Sequence, residues 1–214
     1  MPAEAANGQA PRYELRLFAP DLRALEAEIR RHAPLARYRE GLELYLLVAG
    51  RPDCNLKIRD GALEMKRLHH RERGLEQWRP AFRHELPAAA DLLSAELGGL
   101  FALAEPLFAG GEADAAEVAR RLGAPDVGVA PVSLFKRRWG FVIDDCLVEV
   151  VEALINGARL MSAALESADP RAVLALRERL QIAPQENVSY VLAVERVLGR
   201  APLPHDAYYN ARPD

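Results

Sequence analysis

The sequence has little cysteine. Cys54 and Cys146 are the only two in 214 residues, and no CxxC spacing occurs. A disulfide framework and a cysteine-ligated zinc site are thereby excluded. No run approaches the roughly 18 apolar residues of a membrane span. No basic then apolar leader opens the chain, so the expected compartment is cytoplasmic, with no membrane partner. There is no basic excess either. The 28 Lys and Arg stand against 31 Asp and Glu, a formal net charge of −3. A general nucleic-acid binder carries a clear surplus of positive charge, so no nucleic-acid partner is expected, although a local basic pocket stays open. What is present, half apolar and 28 % charged, suits a globular chain with its own core.

The central stretch is Cys54 to Leu68, CNLKIRDGALEMKRL. Asp60-Gly61 is a strong hairpin signal, because such a turn needs positive φ. Strand side chains alternate between faces. Lys57 and Arg59 therefore share one face, with Leu56 and Ile58 on the other. Across the turn, Glu64 and Lys66 share a face, opposite Leu63, Met65 and Arg67. Such a hairpin reads either as a half-solvated sheet with a wet outer face or as a cationic lining for an anion.

The chain in order begins with residues 1–11, small and unpatterned, which are expected to be disordered. Arg12 to Phe18 alternates as a strand. Pro20-Asp21 opens a helix that Pro34 ends. Leu42 to Ala49 is a second strand. His69 to Glu76 reads as a charged, solvated connection, since neighbouring His69 and His70 would point to opposite faces and no third ligand stands nearby. Gln77 to Glu85 reads as an edge or bulged strand because of Pro80. A helical insertion occupies residues 87–125, with helices over Pro87–Phe108 and Glu112–Leu122. Strands resume at Pro131 with Val132–Arg138, and Trp139–Ile143 either continues that strand or forms the next. Asp144-Asp145 and Asn156-Gly157 are turns around Leu147–Leu154 and Arg159–Ser167. Helices over Pro170–Ile182 and Glu186–Leu198 follow, then a tail at 200–214.

Eight or nine strands joined mostly by hairpins leave exposed edges unless the sheet closes. The expected fold is α+β: a closed or nearly closed antiparallel barrel with outer helices. Its interior would gather the charged strand faces. Burying like charges is costly until a counter-charge arrives.

The order of these features resembles the CYTH, or triphosphate tunnel metalloenzyme, superfamily over residues 12–199. The resemblance rests on LKIRDGALEMK at Leu56–Lys66, LVEVVEALINGARLMSAALES at Leu147–Ser167 and ENVSYVLAVERVLG at Glu186–Gly199. It implies an eight-stranded tunnel whose basic side chains hold a triphosphate. By position these are Lys57, Arg59, Lys66, Lys136 and Arg138. Arg suits forked phosphate bonding and Lys a mobile point charge. It also implies magnesium or manganese on oxygen ligands, here Glu14 and Glu152, with Lys66 and Glu152 in catalytic roles.

Two departures stand out. The family's first strand reads E-x-E-x-K. Here Glu14 keeps the first acid, Arg16 replaces the second and Phe18 replaces the lysine. On the late strand the E-x-E pair falls on Val150 and Glu152. Other acids that can face inward are Glu64, Glu85, Asp144 and Glu166, while Glu149 faces away from Glu152 by parity. Arg16 beside Glu14 favours an anion without a metal and joins the substrate-binding set. The expected function is a metal-dependent hydrolase of a triphosphate or polyphosphate. The alternative is a catalytically degenerate module that binds a small polyanionic phosphate ligand without cleaving it, and a nucleotide cyclase stands third.

Overall fold

A computed structural model of the chain describes residues 11–101 and 105–203. Asp60 and Gly61 adopt φ of 51° and 73°, the left-handed pair that a two-residue hairpin turn requires. In chain order the elements are β1 (Tyr13–Ala19), α1 (Arg23–His32), β2 (Arg37–Val48), β3 (Cys54–Arg59), β4 (Ala62–Glu72) and β5 (Leu75–Glu85). The short β6 (Ala88–Ala89), α2 (Ala90–Gly98), β7 (Glu112–Ala113) and α3 (Ala115–Leu122) follow. Then come β8 (Val129–Ile143), β9 (Cys146–Ile155), β10 (Ala158–Ser167), α4 (Pro170–Arg179) and α5 (Tyr190–Val197).

Eight strands close into an antiparallel barrel in the order β1-β10-β9-β8-β2-β3-β4-β5. β5 returns to β1 through Tyr13↔Gln77 and Glu14↔Glu76. The expected fold class holds. Closure pairs the strand edges that an open sheet would leave bare. β6 and β7 form a separate two-stranded ribbon.

Several boundaries differ from expectation. His69 to Glu76 is a hairpin rather than a loop, because Arg73 and Gly74 supply a second positive-φ turn, at 52° and 79°. Pro80 sits by a register shift of β4 against β5, where its missing N–H does least harm. Of the two alternatives for Trp139–Ile143 the structure takes the continuation, in one 15-residue strand, β8. In the insertion, α2 is only nine residues long, and the β6–β7 ribbon brackets it. The expected disordered start and the C-terminal tail fall mostly on residues 1–10 and 204–214, outside the described residues.

Three apolar clusters fix the layout. Outside the barrel, α1 and α4 pack Ile29, Val173 and Leu176 on Leu15, Leu17, Val148, Val150 and Ala163. On another side α2 and α3 lay Leu93, Leu97, Val118 and Leu122 on Leu46, Leu56, Leu63 and Phe82. The third cluster gathers Tyr190, Val191 and Val194 of α5 with Tyr45, Leu47, Val132, Leu134, Val151, Ala153 and Ile155. Each fully buried side chain of this size stabilises the fold by about 1.5–3 kcal/mol.

The entry to α5 has its own device. β1 pairs with β5 only at Tyr13 and Glu14. Beyond that point Asn187 and Val188 take over the vacated edge. Asn187 Nδ2 donates to the Glu14 carbonyl at 2.8 Å, and Arg16 N donates to Asn187 Oδ1 at 2.8 Å. Val188 N donates to the Arg16 carbonyl at 2.8 Å. Ser189 then caps α5 by accepting from Leu192 N.

Candidate functional site

The barrel interior has a polar half and an apolar half, and the alternation of each strand generates both. Along β1, Glu14 and Arg16 lie in the polar half and Phe18 in the apolar half. Along β2 the order is Glu43, Tyr45, Leu47. β8 adds Lys136, β9 adds Glu149 and β10 adds Glu166 to the polar half. The polar half contains an inner cavity of about 150 Å³ and opens into a cleft of about 400 Å³. Glu14, Arg59, Lys66, Trp78 and Glu166 form walls of both.

Glu43 organises one side. Its side chain is 1 % exposed, and its oxygens face four cations. Lys136 Nζ donates to Oε2 at 2.9 Å and Lys57 Nζ at 3.4 Å. Arg138 bonds Oε1, and Arg59 Nη1 lies 3.7 Å from it. Burial alone would raise this carboxyl, but Lys136, Lys57 and Arg138 hold it well below the usual range. The same burial pushes Lys136 and Lys57 below ordinary lysine values, against the opposing pull of Glu43. One carboxylate does not balance four cations. Glu64 adds a second counter-charge, 3.3 Å from Lys57, 3.0 Å from Arg59 and 3.2 Å from Arg83.

Arg16 organises the opposite side. Its guanidinium is 5 % exposed. Nε donates to Glu14 Oε1 at 2.7 Å, Nη1 to Ser162 Oγ at 3.2 Å, and both Nη atoms to Glu149 Oε1 at 3.5 Å. Glu166 Oε1 lies 4.0 Å away. Burial raises the Glu14 carboxyl, but Arg16, Lys66 and a hydrogen bond from Glu166 together bring it below its ordinary value, so Glu14 stays ionised. Burial, and next the Glu14 charge, push Glu166 up to about 7.

Aromatic rings form the floor beneath the cations. Lys136 Nζ lies 3.3 Å from the Tyr190 ring centre and 4.7 Å from that of Tyr45. Arg16 stands 4.7 Å over Tyr190. A ring face attracts a cation electrostatically, so these tyrosines support positive charge that water no longer solvates. Phe18 meets Tyr190 edge-on at 5.0 Å. The lysine expected in this fold at position 18 would point into that apolar floor.

The outer cleft is more nearly balanced, its five cations facing four carboxylates, whereas six cations and three carboxylates line the inner cavity. Arg39 pairs with Asp60. Burial and the neighbouring Arg59 and Arg138 lower its guanidinium from the usual value. Arg12, Lys66 and Arg83 complete the basic wall, and Trp78, Pro80 and Phe82 the apolar one. Arg59 Nε is buried without a hydrogen-bond partner among the described residues. Such a donor is costly to leave unmet.

The structure brings together Glu14, Arg16, Lys57, Arg59, Lys66, Lys136 and Arg138 from the sequence-derived set. It removes Glu152. That side chain lies on the outer face, 3.3 Å from Arg159 and 3.8 Å from Arg137. The inward residues of β9 are Glu149 and Val151, because Lys136 and Arg138 face Ala153 and Val151 across the β8–β9 pair. The metal-ligand and catalytic assignments of Glu152 are therefore corrected by one residue of register. Of the other acids weighed, Glu64 and Glu166 face inward, Glu85 is exposed and Asp144 lies in a turn beside Arg179. Glu43, Tyr45 and Tyr190 were not singled out. Parity along LELYLLV puts Glu43 and Tyr45 on one face, a signal available in the sequence. Tyr190 gave none, since a helix residue enters a barrel only through tertiary packing.

The residues present do not fit the magnesium or manganese ion that the tunnel fold implies. Glu14 and Glu149 are engaged by the Arg16 guanidinium, and Glu152 lies outside. Among the described residues no group of three His, Cys, Asp or Glu is arranged to hold a metal ion. No helix among them is long and apolar enough to cross a membrane.

No protein-family model matches the sequence, and no curated protein is similar to it. Solved structures do match. The PH1012 protein of Pyrococcus horikoshii superposes with a TM-score of 0.52 at 13 % identity, covering 86 % of this chain and 98 % of its own. A Bacillus halodurans protein described as a candidate adenylate cyclase gives 0.50 at 9 %, over 86 % and 98 %. The candidate adenylyl cyclase HpAC1 of Hippeastrum, described as having a dominant triphosphatase activity, gives 0.50 at 12 %, over 91 % and 98 %. The likeness to the triphosphate tunnel fold drawn from the sequence is thus found in the structure.

Proposed function

We propose that this chain captures a small phosphate-bearing polyanion in the polar half of its barrel and does not cleave it. The observation that carries this reading is the convergence of six cations, Arg16, Lys57, Arg59, Lys66, Lys136 and Arg138, on one inner cavity. Phosphate oxygens would supply the counter-charge that the neighbouring carboxylates, Glu43 and Glu64 among them, leave incomplete. In this reading Lys66 and Arg59 make the first contacts at the mouth. Lys57, Lys136 and Arg138 act deeper, with Tyr45 and Tyr190 as the floor.

Hydrolysis is the second reading, and the triphosphatase activity described for the Hippeastrum protein favours it. Two features weigh against it. The carboxylates that would help activate a water are bonded to Arg16, and the expected catalytic Glu152 is outside the barrel.

The test is titration calorimetry with inorganic triphosphate, with magnesium or with EDTA, alongside phosphate release. The expected result is binding of similar strength in both media and no release. Lys66→Ala should weaken binding about tenfold, the scale of one charge-assisted phosphate contact, without changing Tm. Absence of binding in both media overturns the reading, and metal-dependent release replaces it with the hydrolase.

A further inference from the structure

The guanidinium of Arg16 occupies a position that three carboxylates define. Glu14 is on β1, Glu166 on β10 and Glu149 on β9, three consecutive strands of the barrel. Arg16, Ala164 and Glu149 lie in one row across them, by the pairs Arg16↔Ala164 and Ala164↔Glu149. Ala164 is fully buried and small, so the guanidinium passes over it to reach Glu149. In the adjacent row Glu14 faces Glu166. Oxygens from three strands therefore surround one guanidinium, Glu14 at 2.7 Å from Nε and Glu149 and Glu166 at 3.5 and 4.0 Å from Nη2, a ring wider than a metal shell while Arg16 fills it. A hard divalent cation favours such a donor set, and Arg16 fills it.

We propose that Arg16 is a tethered counter-cation: it takes the place of a divalent ion between Glu14, Glu149 and Glu166, and its removal alone creates a divalent-cation site there. The two occupants exclude each other. A divalent ion needs the carboxylate oxygens at metal–oxygen distance and cannot share a 5 %-exposed space with a fixed positive charge. Losing the guanidinium leaves carboxylates buried together without compensation, a costly state that an added cation relieves. This inference concerns cation binding and stands apart from the choice of phosphate ligand.

The experiment is manganese titration followed by electron paramagnetic resonance, without phosphate, on the wild-type chain, Arg16→Ala and Arg16→Ala/Glu149→Gln. The wild-type chain should leave the free-ion signal unchanged. Arg16→Ala should bind one manganese per chain, at least about tenfold tighter than wild type, and the double variant should lose about tenfold again, as removal of one charged oxygen ligand implies. Manganese should raise the Tm of Arg16→Ala only. Arg16→Met keeps the aliphatic stem and serves where Arg16→Ala does not fold. Where both unfold, refolding on adding manganese supports the proposal and failure to refold overturns it. A folded Arg16→Ala that binds no manganese also overturns it. So does a wild-type chain that binds one equivalent and loses it on Glu149→Gln.

Discussion

Glu14 and Glu166 stand directly opposite each other across β1 and β10, and the barrel splits their acidity. Arg16 keeps Glu14 ionised, while burial beside that charge raises Glu166 to about 7. The surrounding charges are Glu14, Arg16, Glu149 and Lys66. The folded chain therefore keeps a proton on Glu166 that the unfolded chain releases near 4.5. A native state that binds more protons loses stability as pH rises. Wild-type Tm should fall relative to Glu166→Gln between about pH 5 and pH 7 and run parallel to it above that. Melting both proteins across pH checks this, and parallel curves throughout would sink the assignment.

Glu43→Gln should be strongly destabilising. Removing one partner of a buried ion pair typically costs about 3–5 kcal/mol, and Glu43 serves Lys136, Lys57, Arg138 and Arg59 together. The loss should be measurable by urea unfolding. Inorganic triphosphate should recover more Tm in this variant than in wild type, because the ligand then supplies the missing charge. Equal shifts in both proteins would argue that the ligand does not reach Glu43.

Glu149→Gln and Glu152→Gln should separate cleanly, although only two residues divide them. Glu149 contacts Arg16 and lies 3.9 Å from Arg138 inside the barrel. Glu152 contacts Arg137 and Arg159 outside. Glu149→Gln should change triphosphate affinity by roughly three- to tenfold, toward tighter binding, since it removes a repelling charge of partial burial. Glu152→Gln should leave affinity within twofold, as expected of an exposed pair worth about 0–1 kcal/mol. Calorimetry on the pair decides, and the reverse ranking would return β9 to the register first expected.

Phe18→Ala tests the floor. Phe18 meets Tyr190 edge-on and packs with the α5 cluster. Truncating a packed phenylalanine costs about 3 kcal/mol or more, so Tm should fall by several degrees. Phe18→Lys should destabilise further by placing a charge against apolar neighbours. A more stable Phe18→Lys would mean that the floor is wetter than its packing implies.

Much of the fold was legible because it is written locally. Asp60-Gly61 and Asn156-Gly157 announce their turns, and the alternation of Lys57 with Arg59, and of Lys136 with Arg138, identifies inward faces. The site was less legible because its centres are not local. Glu43 was hidden in an apolar run and stands out only once parity is carried through Tyr45 and Leu47. Glu152 was misplaced because two acids three apart on β9 are equivalent until the β8 pairing fixes which faces in. The role of Arg16 as partner to Glu14, Glu149 and Glu166 required knowing that β1, β10 and β9 are neighbours.

The seam beside β1 bears on how the chain is made. β1 precedes the other barrel strands, yet apart from two pairs with β5 its partners are β10 and the Asn187–Val188 segment, about 150 to 170 residues later. Contacts of such sequence separation form slowly. On the ribosome, β1 waits with one edge unpaired and the other met by β5 only at Tyr13 and Glu14 until nearly the whole barrel has emerged. A chain that stops before Asn187 keeps the open edge for good, and an unpaired edge recruits other strands. The last helix is therefore the latch of the barrel, and a truncated product should accumulate as aggregate rather than as a smaller folded protein.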